Sequence, residues 1–245
     1  MSMNTEANKK DAFAGIDAII ETDKVNRIFD LSGGDKLHVL KDISIKVPRG
    51  ALTILKGPSG SGKTTLMNIL GVLDAPNSGR LSFNGQDVLS LSDREKELLR
   101  RKHFGFVFQS VSLIPMMTVY ENVEFSLRLS GYEDDYKSRV LECLKMVGLS
   151  ARVDHMPQEL SGGEQQRVAI ARAIAHKPDV IFADEPTAEL DSATAVSVVN
   201  IFKGLVRAEG VTFVMTTHDT SLMSAGDAAF TIDNGEISGE IAGQA

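Results

Sequence analysis

Gly57-Pro58-Ser59-Gly60-Ser61-Gly62-Lys63-Thr64 is the stretch whose reading decides the fold. It satisfies the pattern G-x-x-x-x-G-K-[ST], and its flanks supply the context that pattern needs. Leu52-Thr53-Ile54-Leu55 before it reads as a strand. Behind it, Leu66, Ile69, Leu70 and Leu73 recur at helical spacing and predict a helix from Thr65 to Leu73. Glycines let successive backbone N–H groups curl around an anion, and the positive end of the following helix adds to the attraction. In such a loop Lys63 reaches the β- and γ-phosphates of a nucleotide, and the Thr64 hydroxyl is a ligand for Mg²⁺. A chance Gly/Ser loop would not need a strand on one side and a helix on the other.

Downstream, Val180-Ile181-Phe182-Ala183 is an apolar strand that ends abruptly in Asp184-Glu185. Parallel α/β sheets bind ligands at the carboxyl ends of their strands. That places Asp184 beside Thr64, holding Mg²⁺ through water. Glu185, one residue on, points towards the water that would attack the γ-phosphate, where a carboxylate orients that water and takes its proton. An isolated Asp-Glu pair would be only a solvated strand end; the phosphate loop upstream gives this one its meaning.

Leu160-Ser161-Gly162-Gly163-Glu164-Gln165-Gln166-Arg167 carries the third signal. Ser161 and Glu164 have capping-box spacing, which predicts a helix start. Gly162 and Gly163 between them bare that helix N-terminus, making a second anion site. One nucleotide has one γ-phosphate, and a single chain does not easily bring both anion sites onto it. Two copies arranged head to tail do so, each nucleotide lying between the 57–64 loop of one and the 161–163 turn of the other.

The string LSGGEQQR resembles the signature motif of ABC-transporter nucleotide-binding domains, and the order of the other motifs is similar across about residues 22–240. The resemblance implies a P-loop NTPase fold of the α/β class: a mainly parallel RecA-like core sheet, an N-terminal antiparallel β subdomain and an inserted helical subdomain. It implies ATP and Mg²⁺ as cofactors, with Gly57 to Thr65 around the phosphates and Lys63, Glu185 and His218 as catalytic residues. Gln109 resembles the residue that senses Mg²⁺ and γ-phosphate, which makes Thr64, Gln109 and Asp184 the metal-binding set. His218, in Thr216-Thr217-His218-Asp219, resembles the switch histidine. Ala188-Glu189-Leu190-Asp191 resembles the loop that touches the opposite subunit, with Ala where Ser or Gly is commoner. Phe29 falls where the family places an adenine-stacking aromatic, usually Tyr. Ser161, Gly162 and Gly163 complete the nucleotide site from the second copy.

Partners implied by the resemblance are that second copy and a transmembrane permease docking near Gln109 and the helical block, at the cytoplasmic face of a membrane. Pro157-Gln158-Glu159-Leu160 and Thr118-Val119-Tyr120-Glu121-Asn122-Val123 are similar to the bacterial subgroup serving macrolide efflux, lipoprotein release, peptide-antibiotic resistance and cell-division signalling. Within it, export and the relay of ATP turnover to an extracellular domain remain alternatives. A soluble ABC-type ATPase acting in repair or chromosome organisation is the rival class. Such chains carry coiled-coil or zinc-binding insertions, whereas this one has neither long heptads nor a Cys pair. A small-molecule kinase sharing only the phosphate loop would leave the signature string unexplained.

Elsewhere the pattern predicts strands over Ile43–Val47, Leu81–Phe83, Gly105–Phe108, Val211–Thr216 and Phe230–Ile232. Helices are predicted over Asp93–Lys102, from Thr118 to Leu129, and over Asp135–Val147, Gln165–Ala175 and Ser192–Ala208. Ser92 with Glu95 and Thr118 with Glu121 form two further capping boxes. Asn84-Gly85 and Asn234-Gly235 mark tight turns. The segment 112–160 is helical throughout and is the candidate inserted lobe; residues 1–20 read as a polar lead-in with one short apolar run, Phe13 to Ile20, ahead of a domain over 21–245.

Composition bounds the rest. With 245 residues, 42% hydrophobic and 24% charged, the chain has the make-up of a globular protein. Its net charge of −7 disfavours a nucleic-acid partner, which selects a basic surface. No stretch reaches the roughly 20 apolar residues of a membrane span, and no secretory signal is read at the start. Cys143 is the single cysteine and sits at helical spacing with Val140, Leu144 and Val147, as a small buried hydrophobe. His38, His103, His155 and His176 have no partners at metal-ligand spacing, and Glu133-Asp134-Asp135 reads as a solvated loop.

Overall fold

The structure, a computed structural model, describes residues 15–242, without the side chains of Thr220, Ser221, Met223, Ile241 and Ala242. The expected lead-in therefore lies largely outside the described residues. Its last part does not. Ala18–Asp30 form strand β1, and Ile19 and Ile20, assigned above to the lead-in, are buried at 2% and 1% exposure. Ile19-Ile20 followed by alternating Thr22 and Val25 is a strand pattern too irregular to be read in advance, because β1 is bulged where it meets its neighbours.

Two sheets organise the chain. β1 pairs antiparallel with β2 (Lys36–Ile43), β3 (Lys46–Pro48) and β5 (Ser78–Phe83), and β5 turns back into β6 (Gln86–Asp87). Asn84 and Gly85 make that turn with φ of 50° and 75°, the left-handed pair of a tight hairpin. The second sheet has six strands. β4 (Leu52–Lys56), β7 (Phe104–Val107), β8 (Val180–Ala183), β9 (Thr212–Thr217) and β10 (Ala228–Asp233) run parallel in the order β10-β4-β9-β8-β7, and β11 (Glu236–Ala242) closes the edge antiparallel after the Asn234-Gly235 turn.

Alternation along the parallel strands divides the core in two, since successive side chains leave opposite faces. Leu55, Val180, Phe182, Val214 and Phe230 face α1 (Lys63–Leu70) and the antiparallel sheet. Ile54, Ile181, Ala183, Phe213 and Met215 face the other way, with α3 (Val119–Ser130), α5 (Gly162–Ile174) and α6 (Ser192–Glu209) over them. Near-continuous apolar strands are what a sheet covered on both faces requires.

Helix starts are set locally. α2 (Asp93–His103) and α3 open on reciprocal capping boxes, Ser92 with Glu95 and Thr118 with Glu121, as the spacing predicts. α4 (Tyr136–Met146) is capped by Asp135, and the chain turns away at Gly148 with φ 73°. α3, α4 and a short 3₁₀ turn at Pro157–Glu159 make the helical block between β7 and α5. Cys143 is fully buried in it, and desolvation pushes its thiol pKa up to about 12, so it serves as packing.

Arg139 locks this block to the rest. Its guanidinium, 2% exposed, donates to the Ile174 and Ala175 carbonyls at 2.9 Å each, covering the C-terminal end of α5. The same group pairs with Glu209 at the end of α6 at 3.0 Å and with Glu142 at 2.8 Å. A cation at a helix C-terminus meets the negative end of the dipole as well as its unpaired carbonyls.

Candidate nucleotide site

Because the strands are parallel, the loops after β4, β7, β8 and β9 leave the same edge of the sheet, bringing together residues far apart in sequence. Lys56 pairs with Thr217 and Ala183 with Met215, so Gly57, Glu185 and His218 emerge close to level. The 57–64 loop is tightly built. A Cβ on Gly57 would lie 2.2 Å from the Ile232 carbonyl oxygen, and Gly62 combines φ 106° with Leu40 Cδ2 2.8 Å from where its Cβ would be. No other residue type fits either position without moving backbone. β2 and the Asn234-Gly235 turn clasp the loop from outside, with Gly235 N–H on the Ser61 carbonyl at 3.2 Å and Lys41 N–H on the Gly235 carbonyl at 2.8 Å.

Lys63 is 4% exposed and folds back over the loop, its ammonium donating to the Gly57 and Pro58 carbonyls at 3.0 Å each. Glu185 Oε1 lies 3.6 Å from the same nitrogen, and Glu185 Oε2 lies 3.1 Å from His218 Nδ1. The Thr64 hydroxyl donates to Asp184 Oδ1 at 3.2 Å. Thr64, Lys63, Asp184, Glu185 and His218 thus form one connected cluster across three strand ends. Glu185 sits at φ 43°, the left-handed region that a non-glycine residue occupies at a cost.

Hard oxygen donors suit Mg²⁺, and the Thr64 hydroxyl beside the Asp184 carboxylate is such a pair. The loop also buries the Ser61 hydroxyl oxygen without a hydrogen-bond partner, an orphan that a phosphate would satisfy. Gln109 is exposed two residues beyond β7, the same offset at which Glu185 follows Ala183 on the paired strand.

Phe29 is half-buried in β1 opposite Leu37. Arg27, on the same strand, pairs across to Leu40, the residue that packs on Gly62, so this side of the antiparallel sheet meets the phosphate loop. The Arg27 guanidinium lies 4.4 Å from the Phe29 ring centroid and donates to Asp74 at 2.9 Å, covering one ring face. Sequence reasoning missed Arg27. A basic residue two positions before an aromatic on a strand was the available signal.

Ser161 caps α5. Its hydroxyl and backbone N–H both reach Glu164 Oε2 at 2.9 Å, and Arg152 holds Glu164 Oε1 at 2.9 Å. The backbone and side-chain bonds from Ser161, with Arg152, hold the Glu164 carboxyl down at about 2. α5 starts at Gly162, as the Ser161–Glu164 capping box predicts, three residues ahead of the apolar-periodic run read from Gln165, because the two glycines in the first turn carry no such pattern. A Cβ on Gly163 would meet Thr194 Cγ2 at 2.7 Å. Thr194 is in turn bonded to Asp191, the N-cap of α6, so the 161–163 turn and the 188–191 segment support each other. Among the described residues no hydrogen bond joins the 161–163 turn to the 57–64 loop of the same chain.

A phosphate loop, a carboxylate pair at the next strand end and a histidine on the third define a P-loop nucleotide triphosphatase. Residues 40–188 match the family described as ABC transporter. The chain is 45% identical over 208 residues to the ABC transporter ATP-binding protein YtrE of Bacillus subtilis, covering 84% of this chain and 90% of that one. It is 44% identical over 225 residues to the macrolide export ATP-binding/permease protein MacB of Syntrophobacter fumaroxidans, covering 91% of this chain and 31% of that longer one. The solved dimeric structure of the bacterial-type cassette MJ0796 superimposes with a TM-score of 0.83 at 38% identity, covering 92% and 99% of the two chains. A second structure of MJ0796, a post-hydrolysis state bound to ADP and Pi, has the same TM-score at 37% identity. The chain belongs to the ABC transporter family as an ATP-binding subunit, and it is an ATP hydrolase.

Proposed function

We propose that ATP with Mg²⁺ is gripped between two copies of this chain, and that closure of the pair drives a separate transmembrane permease. The observation that carries this is the division of the anion-binding parts: Lys63 and Thr64 at one strand edge, Ser161 to Gly163 at the start of α5, with no hydrogen bond between them in one chain among the described residues. The γ-phosphate is the one ligand group that both need. Bridging it favours the closed pair only while it is present, so hydrolysis releases the closed state.

Thr64 and Asp184 are the residues that would hold Mg²⁺, which neutralises charge on the β- and γ-phosphates. Gln109 is assigned to the same ion from its place beyond β7. Lys63 leaves the Gly57 and Pro58 carbonyls for the phosphates. Glu185 orients the attacking water and accepts its proton, and His218, bonded to Glu185, closes on the γ-phosphate. Phe29 stacks on adenine with the ring face that Arg27 leaves open.

A groove of about 670 Å³ beside this site, lined by Leu73, Phe106, Phe108, Phe125 and Leu129, is the docking place for the permease. Leu73, Phe108 and Leu129 are exposed at 46%, 43% and 58%, an apolar patch that asks for a partner. Among the described residues no helix is long and apolar enough to cross a membrane; likeness to ATP-binding subunits of membrane transporters supports a peripheral contact, at the cytoplasmic face. The likeness to MacB favours export as the work performed.

Glu185→Gln is the direct test. ATP binding should persist and turnover should fall by about a hundredfold or more, while the chain accumulates as an ATP-dependent dimer in light scattering. Wild-type turnover in this variant removes Glu185 from the chemistry.

A further inference from the structure

Thr216 has no part in the reading above, yet it sits at the centre of the acidic cluster. It is fully buried at 0% exposure, next to Phe213, Val214 and Met215 in β9. A hydroxyl so placed must find partners. It has two, and both belong to the Asp184-Glu185 pair. The Glu185 backbone N–H donates to Thr216 Oγ1 at 2.8 Å, and Thr216 Oγ1 lies 2.6 Å from Asp184 Oδ1. An amide has only a proton to give, so the oxygen accepts there and its own proton is committed to the carboxylate.

Both acids feel the consequence. Asp184 Oδ1 is occupied by Thr216 and by Thr64, which leaves Oδ2 as the oxygen that would help to hold Mg²⁺. Glu185 is held at φ 43° by its anchored N–H, and that backbone turn is what aims its carboxylate at Lys63 and His218. Strained backbone persists only where its surroundings over-determine it, and the Thr216 hydroxyl is the group bonded to this amide. A valine would fill the same volume in β9 and supply neither bond.

We propose that Thr216 is a positioning residue for ATP hydrolysis, setting the metal-side and water-side carboxylates together through one hydroxyl. This rests on the roles proposed for Asp184 and Glu185. The test compares Thr216→Val, Thr216→Ser and Glu185→Gln in the full chain, measuring kcat, KM for ATP, the Mg²⁺ concentration for half-maximal turnover and the thermal midpoint. Thr216→Val is expected to lower kcat by about ten- to a hundredfold and to raise the Mg²⁺ midpoint by about threefold or more, because the acids lose their shared anchor. KM for ATP should stay within about twofold, since the phosphate loop is untouched, and Thr216→Ser should stay within about threefold of wild type throughout. Wild-type kcat and Mg²⁺ midpoint in Thr216→Val overturn the proposal. So does a serine variant as impaired as the valine one, which would show that the methyl group's packing matters and the hydroxyl does not. Retained turnover in Glu185→Gln is a separate outcome: it sinks the assignment of Glu185 itself.

Discussion

Lys63 is held at the phosphate loop by two backbone carbonyls, and a buried ammonium so placed gives up these bonds only for a ligand with more charge. Lys63→Ala should therefore lose nucleotide affinity by about a hundredfold or more, read by direct titration with ATP, while its thermal midpoint stays near wild type. Unchanged affinity would place the phosphates elsewhere. Around it, the side chains that define the chemistry touch directly, Thr64 with Asp184 and Glu185 with His218, although far apart in sequence. Asp184, Glu185 and His218 follow directly on strand ends and Thr64 lies in the first turn of α1, which is why motif spacing alone located them. Thr216 was not legible in that way, although a Thr-Thr pair after the apolar run Phe213-Val214-Met215 was there to be noticed. Its role depends on which strand lies beside β8, and the register Ala183 to Met215 answers that only in the folded chain.

Among the elements, helices were the most legible, because their caps are written in four consecutive residues. Ser92, Thr118 and Ser161 each bond the backbone of the glutamate three residues on. β1, β2 and β11 were the least legible. Their pairing is non-local, and the bulges in β1 break the alternation that marks a strand. Arg139 shows how elements distant in sequence are fastened, since one side chain joins α4 to the ends of α5 and α6. Arg139→Met would leave Glu209 unpaired and two α5 carbonyls uncovered, at a cost of about 2–4 kcal/mol. In a chain of this size that lowers the thermal midpoint by roughly 5–15 °C. A midpoint within about 2 °C of wild type would show that the clamp carries no net stability.

At the scale of the molecule, the proposed function requires two copies, and a symmetric pair makes the sharing testable. Ser161→Asp keeps a good helix cap but sets a negative charge against the triphosphate. Alone, this variant and Lys63→Ala should each be inactive. Mixed in equal amounts, half of the dimers carry one defective site with both changes and one intact site, so turnover should return to about a quarter of wild type. A mixture as dead as its components would mean that Lys63 and Ser161 do not serve one nucleotide across two chains. The groove proposed to receive the permease belongs to this scale too, because its lining comes from α2, β7, α3 and α5 together.

By itself the sequence determined the parts whose physics is contained in short runs: the phosphate loop, the acid pair at a strand end, three capping boxes, two hairpin turns and the family signature. Backbone conformation and capping are decided within a few residues, so spacing is enough to announce them. Only the tertiary structure decided the order of the parallel strands, the burial of Ile19 and Ile20, the guanidinium over Phe29 and the hydroxyl that ties Asp184 to Glu185. Those are contacts between segments separated by many residues, and their partners are chosen by burial and register in the closed core, which no local pattern encodes.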